Sequence, residues 1–491
     1  MLDLLTIYAL IAVVLIVSGL VSGAIERAPL SFPIVFLGLG FVLGGHGLDV
    51  IEIGPENAVL ESVAFLVLAL ALFLDAVRLR IGEIGAAGLA PMLSLGPGTV
   101  IIIALVALSS YFLLGLSLVQ ALLVGTILAS TDPVVIRDVV RNERIPRSVR
   151  RALTIEAGTN DLVVLPVLLI LIAVAKAKAG GMFDWLMYVG QVFVLAPLVG
   201  FAVGAAGAWI MGKADATYGI RREYQALYGI GLVLLAFTAG QLAGGDGFLA
   251  AFAAGFAVAV LNFDLCDCFL EYGETTAEAA MLFAFTLFGA VISEIAFEVP
   301  LGPTIVLAAL VIVVARPLAI GLVLRRASIS RPAKAFIGWF GPRGLNSLLL
   351  SLLVLRNGVP GAEFLLAVVG VVVTVSVVAH GATATPLSTL YARAVERTTL
   401  EEERESTAAG LFTSGEGALR ISAEELAGRL EATNPPLVLD VRTRSQSERD
   451  RTRIPGSVRV LPDQVQDWAM RYLAEHPDGE PDLPPITTYC T

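Results

Sequence analysis

The chain is dominated by runs that carry no charge for the length of a bilayer. "LLTIYALIAVVLIVSGLVSG" near its start has none, and neither has "LGPTIVLAALVIVVA" far downstream. A hydrocarbon core of ~30 Å takes a helix of ~20 apolar residues, since only internal hydrogen bonding satisfies a backbone there. Composition agrees: 56% of residues are hydrophobic and 15% charged, against about a quarter charged in soluble domains. The chain therefore reads as an all-α polytopic membrane protein. Its first segment lacks a basic start and a clear cleavage site, so it reads as a spanning helix and not a removed signal. The net charge of −10 says little, because the bases are unevenly placed. Three cysteines, Cys266, Cys268 and Cys490, cannot form a disulfide framework.

Hydropathy places about thirteen spans, at roughly 4–24, 30–47, 58–78, 93–115, 118–140, 151–176, 186–211, 224–243, 246–262, 278–295, 302–324, 333–355 and 362–388. Lys and Arg then sort by side. One side collects Arg27, Arg78, Arg80, the cluster Arg137 to Arg151, Lys213, Arg221, Arg222, Arg325, Arg326, Arg331 and Lys334; the other has Lys176, Lys178 and Arg356. The positive-inside rule makes the first side cytoplasmic. The N-terminus is then expected outside, and the tail after Leu390 inside.

Two spans should break. Thr131-Asp132-Pro133 lies deep in the fifth, and Gly341-Pro342-Arg343-Gly344 in the twelfth. Proline removes a backbone donor and disfavours helix before it. Non-helical backbone at membrane depth survives only inside protein or beside a water-filled cavity. The breaks are seven helices apart. That spacing predicts two inverted six-helix repeats joined by a linker helix, with matching broken members crossing at a binding site, as in secondary transporters.

Asp132, Glu156, Asp161, Arg316 and Arg343 fall at membrane depth, with Asp75 nearer the cytoplasmic end of its helix. Such charges are costly and face a partner or a cavity. Glu156 and Asp161 are about 140° apart around one helix, whereas Asn160 shares the face of Glu156. One carboxylate is expected to serve an ion while the other is paired. Glu156 with Arg343 is the expected pair, leaving Asp161 to titrate. Desolvation disfavours a carboxylate's charge, so such a group can trade a proton for a small hard cation. Asp161, Thr131, Glu156 and Asp132 could supply its oxygen ligands. Asp132 and Arg343 suit the exposed ends of the half-helices, an acid at an N-terminus and a base at a C-terminus. Arg316 reads equally as a structural partner, Asp75 as a snorkelling acid near Arg78, and His380 as a satisfied core contact.

"GTILASTDPVVI", "EAGTNDLVVLP" and "ARPLAIG" followed by "GWFGPRGLNSLLL", in this order, resemble the monovalent cation–proton antiporters, in the sodium/proton exchanger (NhaP-like) branch. The resemblance covers roughly residues 5–390. It implies an elevator-like homodimeric exchanger in which Asp161 carries the ion or proton beside Asn160. The Asn-Asp pair implies electroneutral exchange of one cation for one proton. Glu156, Thr131, Asp132 and Asp75 match site positions of the family, with Na+ at Asp161, Glu156 and Thr131, and Arg343 matches its arginine opposite the glutamate.

Three domains are expected: 1–390 for transport, 391–417 as linker and 418–491 as a cytoplasmic α/β unit. In the last, "PLVLDVRTRSQSERDRTRIPGSVRVLP" and the closing "ITTYCT" resemble a rhodanese-like domain, with Cys490 at the position of its active-site cysteine. The chain stops one residue later, so the domain is expected to be incomplete and to lack a working sulfurtransferase loop. The leading expectation is a Na+ (or Li+)/H+ antiporter of the cell membrane serving pH homeostasis. It is a transporter and not an enzyme, with no organic cofactor, no nucleic acid, membrane lipid around it and an unknown regulator on the tail. K+/H+ exchange, a membrane-anchored sulfurtransferase or redox sensor, and a cation channel are the alternatives.

Overall fold

In the computed structural model the described residues are 4–25, 31–78, 92–142, 144–176, 182–261, 273–327, 329–397, 423–431, 435–442, 452–461, 464–475 and 486–489. The helices are α1 (Leu4–Ile25), α2 (Phe32–Leu43), α3 (Ala58–Arg78), α4 (Ser94–Leu114), α5 (Leu118–Ile127), α6 (Arg137–Arg141), α7 (Arg147–Thr159) and α8 (Asp161–Ala175). They continue with α9 (Phe183–Tyr218), α10 (Arg222–Leu242), α11 (Gly247–Leu261), α12 (Glu274–Ile295), α13 (Leu301–Val323), α14 (Arg331–Trp339), α15 (Leu345–Arg356) and α16 (Ala362–Arg397). Among the described residues eight helices are long and apolar enough to cross a membrane, and five shorter apolar helices accompany them.

Local chemistry sets the ends. Gly115 turns left-handed (φ 65°) and closes α4, which glycine does without a Cβ penalty. Ser117 then opens α5 with a capping box. Its hydroxyl accepts from the Gln120 N–H at 3.4 Å, and the Gln120 side chain accepts from the Ser117 N–H at 3.2 Å. Asn160 keeps helical dihedrals (φ −66°, ψ −26°), so α7 and α8 run as one span through it.

Helices pack on small residues. A Cβ on Gly40 of α2 would strike the Thr286 carbonyl, and one on Gly289 of α12 would strike the Leu37 carbonyl. Paired glycines bring these two backbones together, which is how helices associate where lipid supplies no hydrophobic drive. The main core runs through α3, α5, α8, α12, α15 and α16, with residues such as Phe73, Val124, Leu168, Phe288, Leu350 and Val372 fully buried.

The structure sharpens two expectations. The fifth span does not run unbroken to residue 140: helix stops at Ile127, and only the short α6 follows the break. The last long helix continues past Leu390 to Arg397. Beyond it lie α17 (Ala423–Leu430), β1 (Leu437–Asp440), β2 (Val458–Arg459), α18 (Val465–Glu475) and β3 (Ile486–Tyr489). The strands form a parallel sheet in the order β2-β1-β3, with Leu439 opposite Val458 and Thr488. Leu439, Val441 and Val460 bury against Trp468. Cys266, Cys268 and Cys490 lie outside the described residues.

Candidate ion-binding site

Both breaks fall where proline and glycine put them. The first leaves residues 128–136 without helix, and the second residues 340–344. The two meet directly: the Asp132 N–H donates to the Pro342 carbonyl at 3.0 Å. Ser347 ties them again, its hydroxyl donating to the Ile127 carbonyl at 3.0 Å.

A broken helix exposes unsatisfied N–H groups at one end and carbonyls at the other. Here charged side chains take both. Asp132 Oδ2 accepts from the Leu345 N–H at 2.6 Å, at the start of α15, and its Oδ1 accepts from Val134 N at 2.8 Å. Arg343 Nη1 donates to the Ala129 and Ser130 carbonyls, just past the end of α5, at 3.4 and 3.3 Å. Arg316 Nη2 donates to the carbonyls of Ile337 and Phe340, at the end of α14, at 3.2 and 3.0 Å. Acid at an N-terminus and base at a C-terminus is the favourable sense of the helix dipole. Glycine makes room for it. A Cβ on Gly344 would run into the Asp132 carboxylate, and one on Gly341 into the Arg316 guanidinium.

Arg316 also holds Glu156, Nη1 to Oε1 at 2.5 Å. This corrects the expected Glu156–Arg343 pair. Arg343 follows Pro342 in non-helical backbone, and its N–H is fixed to Ser376 Oγ at 2.8 Å. Its side chain is thereby committed to the carbonyls ending α5. Arg316, one helix earlier, is the base beside Glu156.

Asp161 is held differently. Its Oδ1 accepts from the Ser130 hydroxyl at 2.8 Å, and its Oδ2 from Asn346 Nδ2 at 2.9 Å. No base touches it among the described residues. Asn160 Nδ2 donates to Thr131 Oγ1 at 2.6 Å. Asp161, Asn160, Glu156, Thr131, Asp132, Asp75, Arg316 and Arg343 are each no more than 4% exposed, so every charge among them depends on protein contacts. The structure thus brings Asp161, Asn160, Thr131 and Asp132 around one break. The expected ligand set of Asp161, Glu156 and Thr131 is split, because Glu156 Oε1 is turned to Arg316. Among the described residues, Glu156 Oε2 and Asn160 Oδ1 are buried acceptors with no hydrogen-bond partner.

A cavity of about 240 Å³ leads to this cluster. Its wall includes Asp132 and Asn346 at one end, Asp75 and Thr154, and Arg78, Arg137 and Arg141 at the arginine-rich end. Asp75 therefore both faces the cavity and sits 3.6 Å from Arg78. At the mouth Arg137 pairs with Glu278 of α12. His380 is the expected core contact, with one ring nitrogen on the Ser376 carbonyl at 2.8 Å and the other on the Trp339 carbonyl at 3.0 Å. Sequence reasoning missed Ser130 and Asn346. Both are uncharged polar residues beside the breaks, and that adjacency was the available signal.

Two discontinuous helices meeting at a buried, charged site define the architecture of a secondary transporter. Residues 10–390 match the transmembrane family of sodium/hydrogen exchangers, and the chain belongs to that family. It is 27% identical over 384 residues to a K(+)/H(+) antiporter NhaP of Alkalimonas amylolytica, covering 76% of this chain and 64% of that protein. It is likewise 27% identical over 385 residues to a K(+)/H(+) antiporter NhaP2 of Shewanella baltica, covering 76% of this chain and 65% of the relative. The chain thus spans just under two thirds of these relatives' length. In fold it resembles the sodium proton antiporter MjNhaP1 of Methanocaldococcus jannaschii, with a TM-score of 0.64 at 19% identity, over 77% of this chain and all of the other.

Proposed function

We propose that the protein exchanges Na+ (or Li+) for H+ across the membrane by alternating access, with cation and proton competing for Asp161. The observation that carries this reading is the state of Asp161. Among the described residues it is a buried carboxyl with no base against it, held by Ser130 and Asn346, at the meeting point of two half-helices and beside a cavity. A hard cation takes oxygen ligands. Asp161 supplies two, Thr131 Oγ1 a third, and Asn160 Oδ1 and Glu156 Oε2 are the spare buried acceptors nearby. A proton on Asp161 removes the charge that holds the cation, so one ligand excludes the other. Glu156, Arg316, Arg343 and Asp132 hold the half-helix ends in place and are not cargo sites in this scheme, apart from the one free oxygen of Glu156.

The rest of the reading goes with it. The chain crosses the membrane thirteen times as two inverted repeats with crossed broken helices. The arginine-rich face is cytoplasmic, so the cavity opens inward. The weakly buried α9, 17% inside the fold, supports a surface that meets lipid or a second copy in a homodimer. The parallel strands of the tail support a rhodanese-like module whose role would be regulatory. K+/H+ exchange is the second reading, favoured by the relatives named as K(+)/H(+) antiporters.

The test is proton flux in proteoliposomes carrying an internal pH dye, with Na+, Li+ and K+ added in turn and the membrane potential clamped. Cation-triggered, voltage-insensitive proton movement that Asp161→Asn abolishes supports the reading. Undiminished flux in that variant sinks it. The cation that triggers flux decides between Na+ and K+.

A further inference from the structure

The cavity reaches Asp132 and Asn346, but Asp161 is not part of its wall. Asn346 stands between. It occupies the first turn of α15, lines the cavity, and donates its Nδ2 to Asp161 Oδ2 at 2.9 Å. It is not needed to cap α15, because the Asp132 carboxylate already takes the Leu345 N–H. Ser130 occupies the other oxygen of Asp161. In this state both carboxylate oxygens face hydrogen-bond donors.

A cation cannot share that position with an N–H group; it needs an oxygen there. A carboxamide carries both ends, an amine that donates and a carbonyl that accepts. Its terminal torsion is broad and two-fold, so a half-turn exchanges Nδ2 for Oδ1 at nearly the same point. We infer that Asn346 is a reversible ligand for the small monovalent cation. Its amide N–H faces Asp161 while the carboxylate is ionised and empty. Its Oδ1 turns to the cation when one binds, and the side chain hands the ion from the cavity to Asp161. This rests on the antiport reading and deepens it. A residue that must reverse for each ion helps to set affinity and size preference.

The two roles of the amide can be separated by substitution. Asn346→Ala removes both ends. Asn346→Asp keeps an oxygen that can ligate but, when ionised, cannot donate to Asp161. Wild type, both variants and Asp161→Asn would be reconstituted, and the apparent KM and maximal rate measured for the cation that wild type transports. Cation binding to the purified proteins by calorimetry gives a readout independent of transport. Size-exclusion profiles and melting temperatures check folding. The expected result is a KM or Kd raised about tenfold or more in Asn346→Ala, with the maximal rate less affected. Asn346→Asp should stay within about threefold of wild-type affinity. An unchanged affinity in folded Asn346→Ala would overturn the proposal. So would equal weakening in both variants, which is what a purely structural hydrogen bond predicts. Failure of the underlying reading looks different: wild type without coupled flux, or Asp161→Asn with full flux.

Discussion

Arg316 and Glu156 form a buried ion pair, 2.5 Å between Nη1 and Oε1, with both side chains almost wholly enclosed. The same guanidinium holds the two carbonyls that end α14. Removing one member of a buried pair strands the other charge and costs ~3–5 kcal/mol. Arg316→Met should therefore lower stability by about that amount, and Glu156→Gln should lower it less because an amide oxygen can still accept from Arg316. Unfolding in detergent, followed by intrinsic fluorescence, checks the order. Arg343→Met should not mimic the loss of Glu156, since those two side chains do not pair.

Asp132 seals the start of α15 through the Leu345 N–H. Asp132→Asn keeps an oxygen for that N–H, whereas Asp132→Ala leaves it buried and unmet, at a cost of ~1–3 kcal/mol. The expected ranking of melting temperatures is wild type, then Asn, then Ala. Equal values for Asn and Ala would mean that the carboxylate is not the cap.

Thr154 lines the cavity and is exposed, whereas Leu168 on the same span is fully buried. In a background with Cys266, Cys268 and Cys490 replaced by serine, Thr154→Cys should react with a membrane-impermeant maleimide added from the cytoplasmic side. Leu168→Cys should not react from either side. Labelling of Thr154→Cys only from the outside would reverse the proposed orientation.

The tail offers a pH prediction. Burial pushes the Asp440 carboxyl up, but hydrogen bonds from Arg442, at 2.9 and 2.8 Å, and the charge of Arg459 outweigh this and hold it at about 2. A carboxyl held below its unfolded value stabilises the fold at neutral pH, and that contribution is lost as pH falls from about 4 toward its folded value. Hydrogen exchange of β1 peptides in the full chain, corrected for intrinsic rates, should show protection constant from pH 7 to about 5 and falling below it. Asp440→Asn should lose part of that protection at pH 7 already.

The spans were legible because a membrane helix announces itself by length and apolarity, a constraint independent of tertiary contacts. The breaks were legible because Pro133 and Pro342 cannot continue a helix and Gly341 and Gly344 flank the second. The partners were not. Five buried charges can pair in several ways, and the choice of Arg316 over Arg343 for Glu156 depends on where a non-helical backbone aims one side chain. Residues 128–136 illustrate the same gap: hydropathy cannot tell an apolar helix from an apolar stretch that leaves the helix before its proline. Asn346 was hidden for a plainer reason, since a neutral amide in an apolar run carries no charge to draw attention.

The buried set has a consequence in charge counting. Apart from the Asp75–Arg78 pair, three carboxyls, Asp132, Glu156 and Asp161, face two guanidiniums, Arg316 and Arg343. With all five ionised, one negative charge is left over. A single proton cancels it, and so does a single monovalent cation. In the proposed exchange either cargo makes the assembly neutral, so the loaded forms would cross the bilayer's field without electrical work. The empty form carries a bare charge that hydrocarbon resists. Under the proposed exchange, this arithmetic favours two full journeys over an empty one and would keep the two flows coupled.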